Sequence, residues 1–313
     1  MKRILFWSIL TILLLIPLFM SFGIWSASNQ LLFPVWRDNQ NFSTCSPETQ
    51  KHWGVSCGNL RNSSKFRFEE LKIPSINGFD LPTWKIGTLE NGNGKARGTI
   101  FLVHGGGSDR REMTKHIGFF LKRGLDVYSF DFGCHGEARC LIPGLSYGYR
   151  ESKDVLSMYH YLSERYDRIY ALGSSVGASS ILISLPEMPK LSGVIAENPM
   201  YNFERLILES PAAPKDIPAW LSYLLIRLTI LRGKFETIPS PASSLSNTKL
   251  VPILFIHGKE DQVVPFRQSQ DLANIYNGPS EVWLLEKGEH GAARDKDPSE
   301  YERRVAGFLD KLK

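Results

Sequence analysis

From Phe66 onward, apolar and polar positions fall into short runs that alternate between two periods. "FRFEELKIPS" and "DLPTWKIGT" read as two strands joined through "INGF", with Asn77-Gly78 supplying the turn. "GTIFLVHG", "LDVYSFDF", "RIYALGSS", "LSGVIAENP", "VPILFIHG" and "EVWLLEK" are short runs of strand character, most of them apolar enough to be buried on both faces. Between them lie segments of helical spacing: "REMTKHIGFFLKRG", "ESKDVLSMYHYLSERY", "VGASSILISL", "RQSQDLANIY" and the closing "PSEYERRVAGFLDKL". Strands alternating with helices predict an α/β fold, a mainly parallel sheet with helices on both faces.

The alternation stops over residues 200–248. There "YNFERLILESPAAPKDIPAWLSYLLIRLTILRG" predicts two or three helices separated by prolines, a helical cap inserted into the α/β domain. The domain itself runs over 66–313, behind a stalk at 26–65.

The front of the chain has a different pattern. Behind Lys2 and Arg3, residues 4–25 carry no charge, and about 20 apolar residues suffice to cross a hydrocarbon core as a helix. The stretch exceeds the apolar region of a cleavable signal, and "SAS" at 26–28 is a poor cleavage site, so 1–25 reads as a retained transmembrane anchor. Pro17 kinks such a helix without excluding it. Basic residues precede the span and Arg37 is the first after it, which predicts a cytosolic N-terminus and an exported domain. If the segment were cleaved, the domain would be secreted. Cys45 and Cys57 could staple the stalk, Cys134 and Cys140 could be paired or free, and "NFS" at Asn41 and "NSS" at Asn62 are glycosylation acceptors.

Composition adds mainly exclusions. The 313 residues are 42% hydrophobic and 22% charged, which suits one large globular domain plus an extra element. A net charge of +5, with bases scattered and the densest run "DRREMTK", does not describe a nucleic-acid-binding protein. No Cys/His cluster has zinc spacing, and the glycine run "HGGG" lacks G-x-G-x-x-G, so neither metal nor dinucleotide is expected.

The spacing G-x-S-x-G occurs twice, as "GLSYG" at 144–148 and "GSSVG" at 173–177. Ser175 ends an apolar strand and begins a helix, the context in which this spacing presents a nucleophile. Ser146 follows Pro143 in a loop with no strand before it, and Ser174 sits one place too early to project from the turn.

With this context the chain resembles the α/β-hydrolase family over residues 66–313. "VHGGGSD" resembles the family's oxyanion loop, and "DFGCHGEA" its D-x-x-G-H-G-x-S loop, with Ala138 where serine is usual. "HGKEDQVVP" resembles the acid-bearing loop and "GEHG" the histidine loop. With its anchor and cap the chain is similar to membrane-tethered serine hydrolases of the monoacylglycerol and lysophospholipid lipase and aminopeptidase-like group.

The resemblance implies a triad in the order serine, acid, histidine: Ser175, Asp261 and His290. Glu260 is the adjacent alternative acid, and Asp271 reads as a solvated helix residue. His104 and His257 each end a strand as "HG" and read as structural. His135 lies in a loop, His116 and His160 on helices, and His52 in the stalk. Backbone N–H groups of Val176 and Gly106 would form the oxyanion hole, with Gly107 the alternative to Gly106. The implied activity is cleavage of small-molecule or lipid acyl esters without a cofactor. Thioesterase, peptidase or amidase chemistry on the same triad, and a non-catalytic binding role, are the alternatives.

Overall fold

The computed structural model describes residues 2–34, 50, 53, 55–213, 217–246, 248 and 251–312. Eight strands form one sheet: β1 (Glu69–Pro74), β2 (Asp80–Ile86), β3 (Gly98–Val103), β4 (Leu125–Phe130), β5 (Ile169–Ser174), β6 (Leu191–Glu197), β7 (Ile253–Gly258) and β8 (Ser280–Leu285). Each falls within one of the strand-patterned runs except β8, which begins one residue before its run, at Ser280. The spatial order is β1-β2-β4-β3-β5-β6-β7-β8. The β1–β2 and β2–β4 pairs are antiparallel and every later pair is parallel.

The helices are α1 (Lys2–Leu32), α2 (Thr114–Lys122), α3 (Glu151–Ser163), α4 (Val176–Ser184), α5 (Phe203–Glu209), α6 (Ala219–Gly233), α7 (Pro241–Leu245), α8 (Arg267–Ile275), α9 (Ala293–Lys296) and α10 (Pro298–Asp310). Strands β3, β5 and β7 are buried along their whole length, which is why they read as continuous apolar runs. On one face they pack with Val155, Leu162 and Ile181 of α3 and α4. On the other they pack with Ile117, Phe120 and Val305 of α2 and α10. The cap supplies α5, α6 and α7, and Phe203, Leu206, Ile226 and Phe235 cluster with Leu32 of α1 above the sheet.

Helix α1 continues past residue 25, and its last turns dock on the cap. Leu32 and Ser28 are buried. The Leu32 carbonyl accepts from Leu145 N–H at 2.9 Å, and the Leu31 carbonyl accepts from the Tyr147 hydroxyl at 2.8 Å. Arg232 of α6 donates to the Trp25 carbonyl at 3.0 Å and to Asn29 Oδ1 at 3.1 Å. Among the described residues no helix is long and apolar enough to cross a membrane, so the span expected over residues 4–25 draws no support from them.

Cys134 and Cys140 form a disulfide in the loop after β4. Cys57 is also disulfide-bonded, while Cys45, Asn41 and His52 lie outside the described residues. Asn62 is exposed.

Candidate active site

From β3 the chain winds outward to β4 and then crosses back to β5 on the other side of β3. Loops leaving β3 and β5 therefore diverge and open a crevice at the carboxyl ends of the strands, the usual ligand position in open α/β sheets.

Ser175 stands at this crevice, on the turn between β5 and α4. Its backbone holds φ +52° and ψ −114°, a conformation that costs a non-glycine residue on the order of 1–3 kcal/mol. The two flanking glycines make the turn possible. A Cβ at Gly177 would lie 2.4 Å from the Val103 and His104 carbonyl oxygens, and one at Gly173 would lie 2.6 Å from Ala178 N. Ser175 N–H donates to the Glu197 carbonyl at 2.8 Å, which ties the turn to β6.

The other G-x-S-x-G has a different use. Ser146 is buried, its hydroxyl bonds Glu151 Oε2 at 2.5 Å, and it accepts from Arg150 N–H at 2.8 Å. Glu151 also accepts from Ser146 and Gly148 N–H. The GLSYG motif thus ties its loop to the first residues of α3 and presents no nucleophile.

His290, between β8 and α9, reaches over the sheet edge to both other members of the expected triad. Its Nε2 lies 2.9 Å from Ser175 Oγ and its Nδ1 2.6 Å from Asp261 Oδ2. An ionised carboxylate only accepts, so Nδ1 carries the proton and Nε2 is left to accept from the serine hydroxyl. This is the tautomer that general-base catalysis needs.

Asp261, after β7, is buried. Burial alone would raise its pKa. Hydrogen bonds from His257 and His290, with the charge of both rings, outweigh that and hold the carboxyl well below the usual carboxylate range. Val263 and Val264 N–H donate to Oδ1 at 2.8 and 2.9 Å, and Asn198 Nδ2 donates to Oδ2 at 2.8 Å.

Two of these partners were not anticipated as part of the site. His257, at the end of β7, is more than a structural strand end: its Nε2 lies 3.1 Å from Asp261 Oδ2 and 2.9 Å from the Val264 carbonyl. Both are acceptors, so Nε2 is protonated. Asn198 holds φ +50° just past β6. The only sequence signal for either was its place at a strand end.

The other candidates lie elsewhere. Glu260 is exposed, Asp271 pairs with Arg205 at 2.7 Å, His160 is exposed on α3, and His116 packs against Tyr301. His104 and His135 tie the loops after β3 and β4 together: His104 Nε2 accepts from Phe132 N–H and His135 Nε2 from Gly107 N–H, both at 3.1 Å.

That last bond commits Gly107 elsewhere. Gly105 N–H donates to Glu112 at 3.1 Å. Gly106 is the position that lies against the elbow: a Cβ there would be 2.9 Å from Val176 Cγ2. Val176 is the first residue of α4, so its N–H has no acceptor within the helix.

The cleft over Ser175 has a volume of about 940 Å³. Leu145, Val176, Leu206, Ile207, Leu225 and Val263 give it apolar walls, and Glu112, Lys115 and Asp295 also face it. Among the described residues no cluster of three or more His, Cys, Asp or Glu is arranged to hold a metal ion.

Known proteins share the chain's fold and part of its sequence. A family model described as serine aminopeptidase, S33, matches residues 94–246. The uncharacterized protein YqkD of Bacillus subtilis is 25% identical over 246 residues, which cover 77% of this chain and 78% of YqkD. The esterase Pf2001 of Pyrococcus furiosus superposes with a TM-score of 0.63 at 24% identity, covering 79% of this chain and 91% of the esterase. The acylaminoacyl peptidase of Pyrococcus horikoshii gives 0.59 at 19% identity, over 81% of this chain and 42% of the peptidase. At such identities structural likeness speaks for the fold. Sheet order, the glycine-flanked elbow and these likenesses converge on the α/β-hydrolase fold.

Proposed function

We propose that the protein is a membrane-anchored serine hydrolase that cleaves acyl esters through an acyl-enzyme on Ser175. The observation that carries this reading is the hydrogen-bonded series Ser175–His290–Asp261 at a large cleft with apolar walls. Ser175 Oγ attacks the ester carbonyl while His290 Nε2 takes its proton. Charge developing on the carbonyl oxygen is met by the Val176 and Gly106 N–H groups, and Asp261 stabilises the imidazolium. His290 then protonates the departing alcohol. Water, activated by the same imidazole, releases the acid and restores the serine.

The esterase among the structural neighbours supports an ester substrate. The family description and the peptidase neighbour favour a second reading, an amide or peptide on the same triad. A hydrolysis screen separates the two: p-nitrophenyl esters, glycerolipids, acyl thioesters and aminoacyl anilides, with Ser175→Ala as the blank. Turnover confined to the anilides would replace the ester reading with the peptidase one, and a fully inert protein would point to a binding role.

The anchor is supported by the uncharged run at 4–25 behind Lys2 and Arg3, and by the exposure of Leu15, Leu18, Phe19 and Phe22 along α1. This reading puts the N-terminus in the cytosol and the domain on the exported side. Protease added outside sealed spheroplasts should digest the domain. Protection would reverse the orientation.

A further inference from the structure

The last turns of α1 do more than lead into the domain. Ala27, Gln30, Leu31 and Pro34 face the cleft that contains Ser175 and His290. The spacing of Ala27, Gln30 and Leu31 places them on one helical face, and Pro34 lies just past the end of α1 at Leu32. The opposite face, with Trp25, Ser28, Asn29 and Leu32, is turned to the cap. There Leu32 fits against Gly233, where a Cβ would come within 2.7 Å of Leu32 Cδ2. Arg232 lies over the Trp25 ring at 4.9 Å, and the bonds to Leu145, Tyr147 and Arg232 fix the helix in both rotation and height.

A helix held this way cannot turn another face to the cleft without breaking those bonds. We infer that Ala27 and Leu31 of α1 are specificity-determining residues, forming with Leu206, Ile207 and Leu225 of the cap a wall for an extended acyl chain. The inference rests on the ester-hydrolase reading for its substrate class. Its geometric content is separate: α1, which precedes the α/β domain in sequence, is part of the substrate cleft. Ala27 and Leu31 contribute one methyl and one isobutyl group, surfaces that accept methylenes, while Gln30 between them is exposed. Leu31 is half-buried and so has surface left to cover.

The test uses the full chain in detergent and two covalent probes, ethyl and dodecyl fluorophosphonate, which phosphonylate an activated serine with loss of fluoride. Wild type should react faster with the dodecyl probe. Leu31→Trp, which fills the wall, should cut that preference about tenfold, roughly the effect of two methylenes losing burial, while reaction with the ethyl probe stays within about threefold. Leu31→Ala should reduce the preference less, and Phe19→Ala, on an exposed part of α1, should leave it unchanged. An unaltered dodecyl-to-ethyl ratio in Leu31→Trp, with melting temperature and ethyl reactivity intact, would overturn the wall. If Leu31→Trp fails to fold, Ala27→Leu takes its place, with the same loss of preference expected and the same unaltered ratio fatal. Absence of labelling by either probe would overturn the nucleophile and the wall together. Normal labelling without turnover of any ester would remove the ester reading alone.

Discussion

His257 Nε2 donates to Asp261 Oδ2 at 3.1 Å, the same carboxylate oxygen that accepts from His290 Nδ1 at 2.6 Å. The acid of the site is therefore held between two imidazoles, of which only His290 reaches the serine. On its far side His257 Nδ1 lies 2.7 Å from Ser269 Oγ, so the ring links α8 to the site through β7. His257→Leu, which removes the donor, should lower kcat about tenfold by loosening Asp261 while KM stays nearly unchanged. Unchanged kcat with lower thermal stability would make His257 a packing residue only.

The two G-x-S-x-G serines should separate cleanly. Ser175→Ala is expected to reduce kcat by about 10⁴-fold or more with little change in stability. Ser146→Ala should retain most turnover but lose about 1–2 kcal/mol, because Glu151 and Arg150 N–H lose a buried partner. Urea unfolding and steady-state kinetics on both variants check the pair.

Glu197 lies beneath the elbow, buried, with Tyr301 Oη donating to its carboxyl. Burial pushes its pKa up to about 7 against the hydrogen bond from Tyr301, which lowers it. A carboxyl raised in the folded state favours folding at low pH, and that contribution is lost as pH rises from its unfolded value of 4.5 through about 7. Glu197→Gln, which stays neutral, should therefore stabilise the protein at pH 8 by up to about 3 kcal/mol and have little effect at pH 4. Equal effects at both pH values in thermal melts would contradict this.

Truncation of α1 should act in two stages. Removing residues 2–20 deletes most of the uncharged run but keeps Trp25, Asn29 and Leu32 on the cap. Hydrolysis of bilayer-embedded lipids should fall while short soluble esters are spared. Removing residues 2–34 also exposes Leu145, Leu206 and Phe235, which cluster with Leu32, so thermal stability should drop by several degrees. Equal loss on soluble esters in the shorter truncation would show that α1 beyond the cap contact supports folding rather than encounter with the substrate.

What could be read from sequence followed from period and local sterics. Strands β3, β5 and β7 are apolar throughout because both faces are covered, so their runs were visible without coordinates. Ser175 could be told from Ser146 because a strand precedes one and a loop the other, and local context decides whether a glycine-flanked serine projects. His290 and Asp261 were placed by their order along the chain, which the resemblance supplied. Tertiary structure alone decided which groups meet across the sheet ends. The contact of His257 with Asp261 depends on the turn after β7, and that of Asn198 on where β6 ends beside β7. Neither carries a periodic signal. The docking of α1 was hidden for a related reason: residues 27, 30, 31 and 34 are unremarkable in sequence, and only the packing of Trp25, Asn29 and Leu32 on α6 turns them toward Ser175. Local physics selects elements and their faces, whereas side-chain partners drawn from distant segments are set by how those faces close on one another.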